Sequence, residues 1–214
     1  MCFSKEASIF SFLIGIIGAI LCISLGSTTD KIIGYFLGFV SSMQGLEFLL
    51  WSHQVCDDYN KIVSNIAMVF NHLQPIALGV IFLLLNSKKE NNTWIILAMI
   101  LYLFIIIPYS DDFVENKEIQ CTMKNNENQH LIWKWNSMDN SIVVYSIFLL
   151  TLGVLCLLGF PSFKHGVYAA IFAAFSFFTS VFLYSPETIG ALWCYYVVYA
   201  PITYYVLRKV FVEV

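Results

Sequence analysis

The sequence predicts an all-α integral membrane bundle of about seven transmembrane helices, organised as a single domain over 1–214. Three observations lead there. Apolar segments long enough to cross a bilayer recur along most of the chain. Charged residues make up only 12% of the 214 residues, against roughly 25% in soluble domains. The joining stretches are short, with one exception. A net charge of −3 with no basic stripe excludes a nucleic-acid partner, since nothing is arranged to neutralise phosphates. The partner to expect is the lipid bilayer, and an aromatic share of 17% suits rings packed between helices and standing at both interfaces.

A spanning helix needs about 20 mainly apolar residues, and the candidates run 8–26, 31–52, 62–85, 93–109, 141–160, 165–184 and 187–207. The first follows a single lysine that is answered at once by Glu6, with no small-residue cleavage site before the Gly26-Ser27-Thr28-Thr29-Asp30 turn. It therefore reads as a retained helix rather than a signal peptide. Along it Ser4, Ser8, Ser11, Gly15, Gly18 and Cys22 form a stripe of small residues, and the second span carries Gly34 and Gly38, extended by Ser41 or Ser42 and by Gly45. Such stripes let backbones approach closely where lipid offers no hydrophobic drive. They predict packing of these two helices on each other, or on the equivalent helix of a second copy in a homo-oligomer.

The second span also holds Ser41, Gln44, Glu47 and Trp51, at spacings that put them on one helix face. Glu47 is the one acid well inside an apolar run, and an ionisable group at that depth faces a bundle interior or a cavity. In the third span Pro75 cannot donate to the carbonyl of Asn71, which predicts a kink and a freed backbone acceptor beside His72. The fourth span is the shortest. The long connection 110–140 is acidic and Asn-rich, and its Trp133 and Trp135 read as interfacial residues at headgroup level. The seventh span carries Trp193-Cys194, with Pro201 further on.

Alternating spans put the amino terminus and the 110–140 connection on one side, with five lysines against ten acids. The other side has five lysines and Arg208 against three acids. The positive-inside rule then predicts an amino terminus outside or lumenal and a cytosolic carboxy terminus. Cys56 and Cys121 both fall in outer-side loops, where a disulfide is the expected use.

Depth estimates place Cys2, Glu47, His72 and Cys194 together in the outer half. These are ligand types for zinc or another transition metal, and Glu47 and His72 are also candidate catalytic acid and base. No pair has diagnostic metal-site spacing. Other readings are a proton or cation site in a transporter or channel, and a carboxyl that only ties helices together in a structural or assembly protein. Several classes are excluded. The seventh span has no mid-membrane lysine for a retinal Schiff base and no His-x-x-x-His pair of the ceramidase type. Walker, Gly-x-Ser-x-Gly and His-Glu-x-x-His motifs are absent, and the single arginine rules out a voltage-sensing ladder.

Met1-Cys2-Phe3-Ser4 with Ala7-Ser8, Gln44-x-x-Glu47 with Trp51, Phe70-x-His72 with Pro75, and Trp193-Cys194 preceded by Phe182-x-Tyr184 form a spaced set. In these residues the chain resembles a family of small multi-pass membrane proteins that begin Met-Cys-Phe-Ser, a domain of unknown function. It departs from the family at Glu47-Phe48, where members commonly read Glu-Gly, and the tract 86–128 has no counterpart. The resemblance implies that Cys2, Gln44, Glu47, Trp51, His72, Trp193 and Cys194 belong together, and it implies no activity.

Overall fold

The computed structural model describes residues 4–85, 88–116, 120–125, 130–183 and 189–211, and over these the protein is almost entirely helical. Helix α1 (Lys5–Leu25) is capped by Ser4, whose side chain accepts the Ala7 N–H at 3.1 Å, and ends at Gly26, whose φ of 90° suits a residue without a Cβ. A capping box between Ser27 and Asp30 starts α2 (Thr28–Ser52). Asp57 caps α3 (Asp58–His72), and α4 (Gln74–Leu85) follows after one residue. A 3-10 turn, Lys89–Asn91, leads into α5 (Asn92–Glu115). The remaining helices are α6 (Ser141–Gly159), α7 (Phe163–Leu183), α8 (Ile189–Val197) and α9 (Ala200–Phe211).

Among the described residues four helices are long and apolar enough to cross a membrane: α1, α2, α5 with its 3-10 lead, and α6. The α3–α4 pair makes five if its two parts count as one span. The break in that pair is a bend of 53° at Leu73. Pro75 supplies no N–H, so the helix cannot continue straight, and the bend delivers the carbonyl of His72 to the Tyr102 hydroxyl of α5, which donates to it at 2.9 Å. The expected kink is present, and the acceptor bonded by Tyr102 is the carbonyl of His72 rather than that of Asn71. Helix α5 runs six residues beyond the expected end at 109, because Pro108 is accommodated inside it and the polar residues after it continue the helix.

Helices α1 and α2 are antiparallel neighbours packed through their small residues. A Cβ at Gly15 would lie 2.2 Å from Ser41 Oγ, one at Gly34 would lie 2.7 Å from the Ala19 carbonyl oxygen, and one at Gly38 would lie 3.2 Å from Ala19 Cβ. The stripe on α1 also serves α9, since a Cβ at Gly18 would lie 2.7 Å from the backbone nitrogen of Ile202, and Cys22 Sγ–H donates to the Pro201 carbonyl at 3.1 Å. Both small-residue faces are therefore engaged inside the chain.

The long connection is a folded cap. Two short antiparallel strands, β1 (Met123–Lys124) and β2 (Leu131–Ile132), pair Met123 with Ile132. Cys121 is bonded to Cys56 in the turn between α2 and α3, closing a sequence separation of 65. The Asn60 amide bridges the carbonyls of His53 and Thr122 at 3.0 Å each, and its Oδ1 accepts the Thr122 N–H at 3.0 Å. Trp133 and Trp135 are not headgroup-level residues. Both are fully buried by protein, 4.7 Å apart between ring centroids, with Trp135 edge-on to Phe113 of α5 and its carbonyl accepting the Tyr109 hydroxyl. Burial of two indoles against an extended α5 removes more apolar surface than an interfacial pose would.

Close backbone approach at Gly18 and Gly34 leaves no room for a side chain, whereas Gly38 meets only a methyl group. Gly18→Val and Gly34→Val should each cost about 1–3 kcal/mol or more. Gly38→Ala should stay within about 1 kcal/mol. Thermal unfolding of the three variants in detergent compares them, and equal losses would contradict this packing.

Candidate functional site

The polar residues of α2 lie in the bundle interior. Ser41, Gln44 and Glu47, together with Asn71 and His72 of α3, Gln74 of α4 and Cys194 of α8, have 1% or less of their surface exposed. Local geometry accounts for their positions. The α2 residues recur on the helix face that packs toward its neighbours, and Ser41 returns its hydroxyl to the Leu37 carbonyl at 2.7 Å. The bend at Leu73 turns Gln74 away from the line of α3, and its amide N–H donates to Cys194 Sγ at 3.5 Å. Glu47 lies close enough to Cys194 to act on it electrostatically. Helices α4 and α8 thereby bring Gln74 and Cys194 together, with Glu47 of α2 buried in the same interior.

His72 stands on another side of this group. Its Nδ1 is 2.9 Å from the Met68 carbonyl, which can only accept, so Nδ1 carries the proton and Nε2 is an acceptor. The imidazole is flanked by the rings of Tyr109 and Tyr145, each with its centroid 5.5 Å away. The Tyr145 hydroxyl accepts from Asn71 Nδ2 at 3.0 Å and donates to Asn136 Oδ1 of the cap at 2.6 Å, and it is within electrostatic reach of Cys194. Tyr145 thus links His72 and Asn71 of α3 to the cap. Sequence reasoning missed it, although a lone tyrosine near the start of a largely apolar segment was a visible signal.

The other expected members are dispersed. Trp51 is half-buried against the core. Trp193 stands edge-on to Phe148 at 5.5 Å, donates to the Ala173 carbonyl at 3.4 Å and lines an apolar cavity. Cys2 lies outside the described residues. Among the described residues no group of three or more His, Cys, Asp or Glu side chains is arranged to hold a metal ion. The zinc site expected from Cys2, Glu47, His72 and Cys194 is therefore not assembled by its three described members. Tyrosine rings, not further ligands, occupy the space beside the imidazole.

What the site has in quantity is hydrogen-bonding capacity beyond its internal partners. Both amide atoms of Gln44, Asn71 Oδ1, His72 Nε2 and Gln74 Oε1 are buried with no hydrogen-bond partner among the described residues. A buried polar atom without a partner costs about 1–3 kcal/mol, and native interiors contain few. Such a concentration of donors and acceptors matches the chemistry of a neutral, hydrogen-bonding guest.

Two further polar groups mark the ends of the bundle. At the cap end His53 Nε2 is 2.7 Å from Asp57 Oδ2. The Asn60 backbone N–H and this histidine hold the Asp57 carboxyl below its ordinary range. At the opposite end Asp30, fully buried, accepts from the Tyr204 hydroxyl at 2.6 Å and pairs with Arg208 Nε at 3.4 Å, tying α2 to α9. The sequence presented Asp30 only as a turn acid.

Removing the Tyr145 hydroxyl takes away the acceptor of Asn71 Nδ2, so Tyr145→Phe should destabilise by about 1–3 kcal/mol. Gln44→Leu removes two atoms without internal partners and should leave stability unchanged or raise it. Parallel thermal melts check both, and a Gln44→Leu loss as large as that of Tyr145→Phe would show that Gln44 is already satisfied within the protein.

Set against protein-family models, curated proteins and solved structures, the chain matches none of them.

Proposed function

We propose that this is a seven-span membrane protein whose outer-half polar centre binds a small, neutral, hydrogen-bonding molecule, with Glu47 and His72 as the acid and base that act on it. The spans in this reading are α1, α2, α3 with α4, α5, α6, α7, and α8 with α9. The observation that carries the site is the excess of buried donors and acceptors on Gln44, Asn71, His72 and Gln74 around Glu47 and Cys194. A histidine whose Nδ1–H is held by a backbone carbonyl offers Nε2 as a base. The spaced residues shared with the Met-Cys-Phe-Ser family support the same grouping. Transport is the weaker reading. Toward the opposite end the interior passes into Leu78, Phe82, Leu152 and Leu155, which supply no polar path.

The orientation proposed is amino terminus exoplasmic and carboxy terminus cytosolic. It is supported by the excess of basic residues on the far side and by the Cys56–Cys121 bond on the near side, because disulfides persist in oxidising compartments. Wild type from cells should run faster on a non-reducing gel than on a reducing one, and Cys121→Ser should abolish the difference. The variant should also lose on the order of 2–4 kcal/mol of stability. Free thiols at both positions in freshly isolated membranes would reverse the orientation.

For the site, a thermal-shift screen of small amides, alcohols and polyols should yield compounds that stabilise wild type and fail on Gln44→Leu. The gain should be about 2.7 kcal/mol at one hundred times Kd. Elemental analysis beside His72→Ala decides the competing chemistry. About one metal per chain, lost in the variant, would replace this reading with a metal centre, and ion flux in liposomes abolished by Glu47→Gln would replace it with transport.

A further inference from the structure

A cavity of about 540 Å³ lies between α2, α6, α7, α8 and α9, in the half of the bundle away from the cap. Its volume falls within the roughly 300–1,000 Å³ of small-molecule sites. Rings and aliphatic side chains make most of its wall, and none of its described lining residues is Lys, Arg, Asp or Glu. Room is left there because α7 and α9 present Ala169, Ala173 and Ala200 to it in place of larger side chains.

Beyond the inner end of this cavity lies the polar centre. On α2 the lining residue Leu37 is followed on the same helix face by Ser41 and Gln44, four and seven positions on. On α4 the lining residue Leu78 has Gln74 four positions before it, and on α6 Leu152 has Tyr145 seven positions before it. On α8 Trp193 lines the cavity, and Cys194 beside it accepts from Gln74. Four helices thus pass from apolar to polar residues in the direction of the cap. Leu37, Leu78, Leu152 and Trp193 form the partition. Within it the Trp193 indole is held by one hydrogen bond, 3.4 Å to the Ala173 carbonyl, and by an edge contact with Phe148.

The polar centre is rich in acceptors. Its unpartnered atoms include four acceptors, Gln44 Oε1, Asn71 Oδ1, His72 Nε2 and Gln74 Oε1, against one donor, Gln44 Nε2. A head group that answers them brings more N–H or O–H groups than acceptors.

We infer that the molecule taken by the polar centre is a single-chain lipid. Its neutral, donor-bearing head sits among Gln44, Asn71, His72 and Gln74, its hydrocarbon chain lies in the cavity, and the Trp193 ring is the part of the partition that it displaces. This inference rests on the binding reading of the polar centre and adds the substrate class to it. The chain supplies affinity through buried methylenes, and the few polar groups orient the head.

Equilibrium binding to the full chain in detergent tests it with propanamide, dodecanamide and methyl dodecanoate. A primary amide carries two N–H groups and one carbonyl, whereas the ester head has acceptors only. Dodecanamide should bind wild type at one molecule per chain, tighter than the ester by about tenfold or more. Ala169→Phe and Ala200→Phe each place a ring in the cavity. They should weaken dodecanamide by about tenfold or more, the worth of about two buried methylenes. Propanamide binding should not change in them, which also shows that the variant has folded. Gln44→Leu should weaken both amides. Undiminished dodecanamide binding in a filled variant that still takes propanamide would overturn the inference and leave the polar-centre reading standing. Equal binding of ester and amide would do the same, as would a Gln44→Leu variant that loses propanamide and keeps dodecanamide. Failure of folded wild type to bind either amide would overturn both.

Discussion

The absence of an N–H at Pro75 is the constraint around which the polar interior is arranged. Within lipid every backbone acceptor needs a partner inside the protein. A proline in the middle of a span therefore obliges the fold to supply one. At the bend the His72 carbonyl accepts from the Tyr102 hydroxyl of α5, and this ties α3 to a helix remote from it in sequence. The same bend separates His72 and Gln74 onto different directions. His72 goes to the tyrosine-lined side and Gln74 to Cys194 on α8.

The cap depends on this interior as much as it covers it. Tyr109 and Tyr145, whose rings flank His72, send their hydroxyls outward to Trp135 and Asn136. The disulfide and the Asn60 bridges fix the cap to α2 and α3, while the two indoles fix it to α5. The described part of the cap is thus covalently anchored over this end of the bundle. Stability is given up locally at the polar centre, and the close-packed α1–α2 pair and the Asp30–Arg208 tie between α2 and α9 supply it elsewhere.

Polar and apolar chemistry meet at consecutive residues of α8. Cys194 faces Gln74, and Trp193 faces the apolar cavity and α6. On a helix adjacent residues point about 100° apart, so one short element serves two environments. The pair Trp193-Cys194 stood out in the sequence as a unit, yet its members have different neighbours.

The sequence by itself determined the recurrence of long apolar helices, the packing of α1 against α2, and the existence of a kink near Pro75. Each of these follows from local rules: apolar length, small-residue period and the chemistry of one imino acid. Glu47 was legible as a buried group because a carboxyl inside an apolar run has no cheap place in lipid. Tertiary structure alone decided the rest. Trp133 and Trp135 are core residues because α5 extends past Pro108 to meet them, which no local pattern announces. Tyr145, Tyr109 and Tyr102 became partners of the His72 segment because three helices converge there. Asp30 acquired Arg208 across 178 residues of chain. The face on which a side chain falls is a property of one helix, but what stands opposite it is a property of all of them.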